Sequence, residues 1–432
     1  MVLRWISWRS VRSHLATELV APACCRAAGP PGWKTSQSED WIVPDLDLDA
    51  RFDSALWNPP IKGPKGLEVG TSAPPTAGRM FGVSIEEGGM GARVVWSSEA
   101  DDVIRGDLTA AVAYSTPAGG AVVTAVSTLG MGDRESGSLA FTTSLGLSKK
   151  LERMLRDPKV AIAYHARDHG YARSPCFELA QGDASVELTP SKERLEGIFP
   201  EVEKFFGQGL KTGFFWDRLM REYYTDRVFV DVSLIRLAEW DSLEATGAPE
   251  VIGEPLPGPP LPQSPPKGGT APRVNVSKVA RKVERLPHRV LAYLGADGYP
   301  VIVPVDVDGH DAAGFHLTAA SGLLPPGGRR AGFLTHGYHP HLIGIATQAM
   351  TGWLEVGTDG TITYAPHTAK GWTAPPLKNV LLVMNGLLAK FGYRRAVRNG
   401  VFDELRHLQE QRQAGEGAGE KEVREREPVP AG

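Results

Sequence analysis

The segment from Leu139 to Pro158 combines residue types that can bind a phosphate group. It predicts a strand that ends in hydroxyl residues, a short loop with Gly146, and a helix that begins at Ser148. The first N–H groups of a helix lack partners within the helix and attract anions. Hydroxyl and ammonium groups add hydrogen bonds and charge. The candidates are Thr142, Thr143, Ser144, Ser148, Lys149 and Lys150, although a capped helix with exposed lysines would have the same sequence.

Histidines offer a second kind of chemistry. His336, His339 and His341 suggest a metal or haem site because imidazole is a common ligand. They lie in a stretch that predicts a loop, without a carboxylate close in sequence, so we expect no metal site. His165 and His169 follow a predicted strand and suit either proton donation near a cofactor or a solvated loop.

The composition limits the classes of protein and partner. The chain has 432 residues, enough for two or three domains, and its formal net charge of −3 does not favour nucleic acid as a partner. Three cysteines, Cys24, Cys25 and Cys176, cannot form a disulfide framework, which predicts a cytoplasmic protein. No apolar run is long enough to span a membrane, so we expect a small-molecule partner and no membrane partner.

Proline, glycine and charge patterns divide the chain into five parts. Residues 1–90 have no sustained helical or strand period and predict a disordered arm. Alternatively, the working protein starts at Met80 or Met90. Residues 241–273 are rich in proline and predict an extended linker that cannot join a sheet. Residues 403–432 predict a disordered, solvated tail.

The two remaining parts, residues 91–240 and 274–402, show the same order of short strands and turns. Ala111–Tyr114, Val122–Val126 and Leu139–Thr143 correspond to Leu291–Tyr293, Ile302–Val305 and Phe315–Ala319. Strands joined this closely predict antiparallel hairpins, and the repeated order predicts an internal duplication. The aromatic run Phe214–Trp216, with Tyr223 and Tyr224, predicts a helix packed on the core.

The phosphate segment and its flanks resemble the pyridoxamine 5′-phosphate oxidase-like FMN-binding split β-barrel superfamily, which includes flavin reductases and F420-dependent reductases. The resemblance covers about residues 97–240 and includes Ala121–Thr128, Asp157–Ala163 and Arg227–Trp240. It implies an α+β fold, mainly β with α, of two tandem split β-barrels of antiparallel strands with flanking helices. It also implies a homodimer, or an intrachain pseudo-dimer of the two barrels.

The same resemblance implies a flavin (FMN) or deazaflavin (F420) oxidoreductase that transfers hydride to a small molecule. By the resemblance, the residues that would bind the cofactor phosphate are Thr142, Ser144, Ser148, Lys149 and Lys150. Those that would line the ring are Val123, Thr124, Ala125 and Val126. The ring-lining strand has no basic residue, so we do not expect pyridoxamine phosphate as substrate. The alternative is a non-catalytic flavin- or haem-binding module with a structural second barrel. Two roles are open for Arg329 and Arg330 in the second copy, since they either replace the lysines at an anion site or form salt bridges.

Overall fold

The computed structural model describes residues 93–168, 170–206, 213–225, 227–338, 345–375 and 377–426. The predicted arm over residues 1–90 lies outside these ranges, as do His169, His339 and His341. Within the described residues, no helix is long and apolar enough to cross a membrane.

The first barrel is an eight-stranded antiparallel sheet with five helices. Its strands follow the order β2-β1-β5-β6-β7-β4-β3, and β8 pairs with β7. The strands are β1 Thr109–Ser115, β2 Ala121–Ser127, β3 Gly132–Asp133, β4 Ser138–Thr143, β5 Lys159–Tyr164, β6 Phe177–Glu187, β7 Val228–Trp240 and β8 Glu250–Gly253. The helices are α1 Ser98–Gly106, α2 Ser148–Arg156, α3 Lys192–Gly197, α4 Phe199–Phe206 and α5 Phe214–Thr225.

The second barrel repeats this strand order in seven strands, β10-β9-β13-β14-β15-β12-β11. It consists of α6 Val276–Val283, β9 His288–Leu294, β10 Pro300–Pro304, β11 Asp306–His310, β12 Phe315–Thr318, β13 Gly327–Tyr338, β14 Ile345–Val356 and β15 Ile362–Thr373, followed by α7 Lys378–Arg398 and α8 Val401–Arg426. The predicted fold class, α+β with two split barrels, is confirmed.

Three of the apolar clusters among the described residues lie within and between the two barrels. In β7, Val228, Val230 and Val232 point into the core of the first barrel, as period-two alternation requires. The second barrel has a core of its own. A third cluster lies between the barrels, where alanines such as Ala111 and Ala161 meet larger side chains such as Ile302 of the second barrel. Small side chains let the two sheets approach closely.

The proline-rich linker is a packed part of the structure. The prediction that residues 241–273 cannot join a sheet is wrong, because β8 extends the first sheet through β7. Further along, the backbone N–H of Gln263 donates to the carbonyl of Gly328 at 2.8 Å. The Gln263 side chain donates to the carbonyl of Gly119 at 2.8 Å. The linker therefore contacts both barrels.

The predicted solvated tail is also corrected, since α8 continues to Arg426. Glu, Gln, Arg and Leu, which favour helices, are frequent in this segment. Leu405 is buried, and Arg412 donates to the carbonyl of Ala184 in β6 at 2.8 Å. Contacts with the first barrel thus order the beginning of a charged segment, while residues 427–432 lie outside the described ranges.

Gly332 of β13 packs directly on the backbone of β2. A Cβ atom at this position would lie 2.8 Å from the carbonyl oxygen of Ala121 and 3.1 Å from the nitrogen of Val123. We therefore expect Gly332→Ala to lower the free energy of unfolding by about 1–3 kcal/mol through overpacking between the barrels. Urea unfolding measures the change.

Gly309→Ala is the matched control, because a Cβ atom on Gly309 of β11 would meet nothing within 4 Å. Its unfolding midpoint should stay close to that of the wild type. Equal effects of the two substitutions would show that the contact between β2 and β13 is not tight.

Candidate cofactor-binding site

The predicted phosphate turn is formed by the end of β4 and the start of α2. The side chain of Ser144 accepts a hydrogen bond from the Gly146 N–H at 3.2 Å and starts a 3-10 turn over Leu145–Leu147. Leu151 and Leu155 of α2 are buried in the core of the first barrel and fix the direction of the helix. The N-cap residue of α2, Leu147, makes no side-chain capping hydrogen bond. The first N–H groups of the helix therefore remain suited to an anion.

The structure separates the two lysines of the turn. Lys150 is buried with 1% of its surface exposed, whereas Lys149 is exposed to solvent. Ser148, the residue before Lys149, is half-buried. Lys150, and not Lys149, is therefore the lysine suited to a buried phosphate.

Two buried hydroxyls lie on the segments for which the sequence predicts cofactor contact. Within the described residues, Oγ1 of Thr143 and Oγ1 of Thr124 are buried and have no hydrogen-bond partner. A buried polar group without a partner costs about 1–3 kcal/mol. Thr142 and Ser144 are buried beside Thr143. A ligand that brings oxygen atoms to these hydroxyls would remove the cost, so the residues fit a flavin-type cofactor.

The predicted ring-lining residues lie on β2, at the boundary between the barrels. Val123 and Ala125 point into the cluster between the barrels, while Val126 points into the core of the first barrel. Because β2 is an edge strand of its sheet, one row of its backbone groups faces away from β1. β2 also lies next to β4, so the structure brings the two predicted segments together.

Helix α7, which follows the second barrel, covers the phosphate turn. Its Gly392 lies against Gly146, since a Cβ atom on Gly392 would be 3.5 Å from the Cα of Gly146. Asn385 of the same helix is buried. The packing position of this helix was not predicted from the sequence. A signal was present in Gly386 and Gly392, because glycine inside a helix often marks close packing.

The second barrel does not repeat the phosphate turn. A loop, and no helix, joins β12 to β13, and Arg329 and Arg330 lie within β13. The buried guanidinium of Arg329 donates to the carbonyls of Pro326 at 2.6 Å and of Pro325 at 3.0 Å. Arg330 donates to the side chain of Gln263 in the linker at 3.3 Å. The arginines therefore do not replace Lys149 and Lys150, and they hold the linker and the loop in place.

Histidines from both barrels meet at the contact between the barrels. His165 follows β5, and its Nε2 lies 2.6 Å from Nε2 of His336 in β13. Because Nδ1 of His165 faces the carbonyl of Ala163 at 3.2 Å, we assign the His336 Nε2–H as the donor to His165. His288 lies beside both rings and is 2.6 Å from Asp168. The described residues contain no group of three ligands placed to hold a metal ion.

Sequence reasoning missed a group of buried carboxyls at one end of the first barrel. Burial raises the pKa of Asp107 to about 7, against the effect of Arg167, which lies 2.5 Å away. Burial also raises the pKa of Glu178 well above its ordinary value, and Glu239 adds to the increase. These residues come from separate elements, so no local sequence pattern could have identified them.

The aromatic run before β7 is only partly packed. Tyr223 is buried, as predicted, but Phe214 is 85% exposed and Phe215 is 61% exposed. The prediction of core packing is therefore wrong for these two phenylalanines. They lie in the first turn of α5, and α5 packs against α7 further along, at Leu219 and Met220.

No family model matches the sequence, and no curated protein matches it. Solved structures do show similarity. A conserved hypothetical protein from Mycobacterium tuberculosis is 20% identical, covers 35% of this chain and 88% of its own, and gives a TM-score of 0.26. A putative pyridoxamine 5′-phosphate oxidase from Listeria innocua is 14% identical. The match covers 32% of this chain and 94% of that protein, with a TM-score of 0.23. An F420 reductase is 16% identical, and the match covers 32% of this chain and 94% of that protein, with a TM-score of 0.24.

The histidine pair makes the stability of the protein sensitive to acid. Burial lowers the pKa of His165 to about 3, and His288 adds to the decrease. The unfolded chain therefore takes up the proton first, and stability falls as the pH falls below the ordinary value of about 6.5. Between about pH 6.5 and 5, the free energy of unfolding should decrease in both proteins. We expect the decrease in the wild type to exceed that in His165→Asn by roughly 1–2 kcal/mol.

Urea unfolding at both pH values measures this difference. His407→Asn is the control, because His407 is exposed on α8 and its replacement should leave the loss on acidification unchanged. A loss in His165→Asn equal to that of the wild type would mean that His165 is protonated in the folded protein.

Proposed function

We propose that the first barrel binds a flavin-type cofactor, FMN or the deazaflavin F420, and that the protein uses it to transfer hydride to a small molecule. The observation that carries this proposal is the pair of buried hydroxyls of Thr124 and Thr143, which have no partner among the described residues. One lies on β2 and the other at the end of β4. A single ligand with polar groups that reach both segments would give each hydroxyl a hydrogen-bond partner.

A bound flavin or deazaflavin supplies the hydride chemistry, and the protein supplies binding, orientation and exclusion of water. The uncapped N-terminus of α2 would hold the phosphate together with Thr142, Thr143 and Ser144. The buried ammonium group of Lys150 would balance its charge. Thr124 of β2 would orient the ring through its buried hydroxyl, which can donate to or accept from polar ring atoms. Because the cofactor would supply the hydride chemistry, the protein need not supply a catalytic acid–base pair.

The second barrel takes the place of a partner subunit in this proposal. It provides Gly332 against β2 and helix α7 over the turn, while its own turn is closed by Arg329 and the prolines. The protein would thus be an intrachain pseudo-dimer with one cofactor site.

Removal of one unsatisfied hydroxyl distinguishes a binding role from a structural one. Thr143→Val should weaken FMN or F420 binding by roughly tenfold, because one hydrogen bond is worth about 1–1.5 kcal/mol. The free energy of unfolding without cofactor should stay equal or rise, since a buried unsatisfied group is removed. Fluorescence titration and urea unfolding give the two values.

Thr335→Val is the matched control, because the Thr335 hydroxyl is also buried and without a partner but lies in the second barrel. It should affect stability in the same direction and leave cofactor affinity unchanged. Unchanged affinity in Thr143→Val, or an equal loss in both variants, would contradict the site.

The two lysines of the turn should differ in effect. Lys150→Met should weaken cofactor binding by about ten- to hundredfold, since charge-assisted hydrogen bonds contribute about 1.5–3 kcal/mol. Lys149→Met should change it less than about threefold, because exposed charges are screened. A larger loss in Lys149→Met than in Lys150→Met would show that the phosphate contacts the exposed lysine of the turn and not the buried one.

Turnover is tested separately from binding. The protein loaded with FMN or F420 is mixed under argon with a nicotinamide donor or with a glucose-6-phosphate-dependent F420-reducing system, and the cofactor absorbance is followed. Reduction and reoxidation by added electron acceptors would support the oxidoreductase. Binding without reduction would assign the protein to the non-catalytic alternative, as would a Soret band in place of flavin absorbance.

A further inference from the structure

Helix α7 is apolar on two opposite faces, whereas a surface helix normally has one apolar face. Leu381, Leu382 and Ala389 are buried against α5 and the rest of an apolar cluster. On the outer side, Val380 is 48% exposed, Leu387 40% and Phe391 58%. Spacings of seven and four residues place these three side chains in one row along the helix. The helix therefore presents an apolar row to solvent.

Helix α5 extends this apolar surface. Gly386 of α7 packs against Leu219 and Met220, since a Cβ atom on Gly386 would lie 2.8 Å from the Leu219 carbonyl oxygen. Phe215 lies one helical turn before Leu219 and follows Phe214. We define the helical patch as Phe214, Phe215, Leu377, Val380, Leu387 and Phe391, all of them exposed. Contiguous exposed apolar surface commonly marks an interaction site.

Helix α7, which contributes Val380, Leu387 and Phe391 to the helical patch, has a positive net charge. The α7 sequence contains five Lys and Arg residues and no Asp or Glu, although the whole chain has a formal net charge of −3. α5 adds two acidic and two basic residues, which cancel. Arg394 and Arg398 are exposed and continue the row that Val380, Leu387 and Phe391 form. A second copy of this surface would bring like charges together, whereas an anionic surface would complement them.

We propose that the helical patch binds the surface of an anionic lipid bilayer, contrary to the expectation of no membrane partner, which rested on membrane-spanning segments alone. The phenylalanines and aliphatic side chains would enter the boundary between headgroups and acyl chains, and the arginines of α7 would lie at the level of the lipid phosphates. The inner face of α7 would keep its packing on α5 and on the phosphate turn. This binding is independent of the proposed cofactor.

Vesicle sedimentation of the full chain tests the proposal. With vesicles of phosphatidylcholine containing about 30% phosphatidylserine, we expect saturable binding, and at least tenfold weaker binding to phosphatidylcholine alone. The triple variant Phe214→Ser, Phe215→Ser and Phe391→Ser should reduce binding to the anionic vesicles by at least tenfold. Leu261→Ser is the matched control, because Leu261 is 85% exposed in the linker and its replacement should have no effect.

The variant Arg394→Glu/Arg398→Glu keeps the apolar surface and should lose the preference for phosphatidylserine. Thermal unfolding identifies any variant that does not fold, and the arginine variant then decides the outcome without the triple variant. Absence of binding to anionic vesicles would overturn the proposal, as would equal loss in Leu261→Ser. A concentration-dependent dimer that the triple variant abolishes, without vesicle binding, would overturn it in favour of a contact between two copies.

Discussion

The contact between the two sheets is the constraint on which the candidate site depends. β2 is an edge strand, and the second barrel places the glycine backbone of β13 against its outer row. The cluster between the barrels is rich in alanine on the side of the first barrel, which allows this close approach. Buried hydrogen bonds fix the register, since Arg236 donates to Gln181 at 2.6 Å and Gln181 donates to the carbonyl of Pro300 at 2.5 Å. The edge of β2 is thereby held and kept away from bulk water.

The two barrels share a strand order but differ in the segment after their fourth strands. In the first barrel this segment is a turn and a helix with a buried lysine. In the second barrel it is a proline-containing loop whose carbonyls are bound by Arg329. Positive charge that the proposed function assigns to an anion in the first barrel is used in the second barrel to satisfy backbone carbonyls. The second barrel can therefore act as a scaffold that completes and covers the site of the first.

Much of the fold followed from local patterns, because alternation and turn residues are contiguous in the sequence. The candidate phosphate turn could be predicted for the same reason, since its hydroxyls and lysines occupy fewer than ten consecutive positions. The distinction between Lys149 and Lys150 was not accessible, because it depends on which side of α2 faces the core. The meeting of His165 with His336, 171 residues apart, and the cover that α7 provides depend on how the barrels pack. The role of Arg329 could not be predicted from the sequence, because it binds backbone carbonyls of the loop. Every residue has such a carbonyl, so the residue types do not show which one is bound.

The central claim is that the turn between β4 and α2 binds a cofactor phosphate, and a comparison of FMN with riboflavin tests it most directly. The two ligands share the ring and the ribityl chain and differ in the phosphate group. Equilibrium titration of the full chain, followed by flavin fluorescence, should give an affinity for FMN about a hundredfold higher than for riboflavin, as expected for two or more charge-assisted hydrogen bonds. If F420 is the cofactor, its form without the phosphate-bearing side chain should bind more weakly by a similar factor. Equal affinities with and without the phosphate would contradict the account.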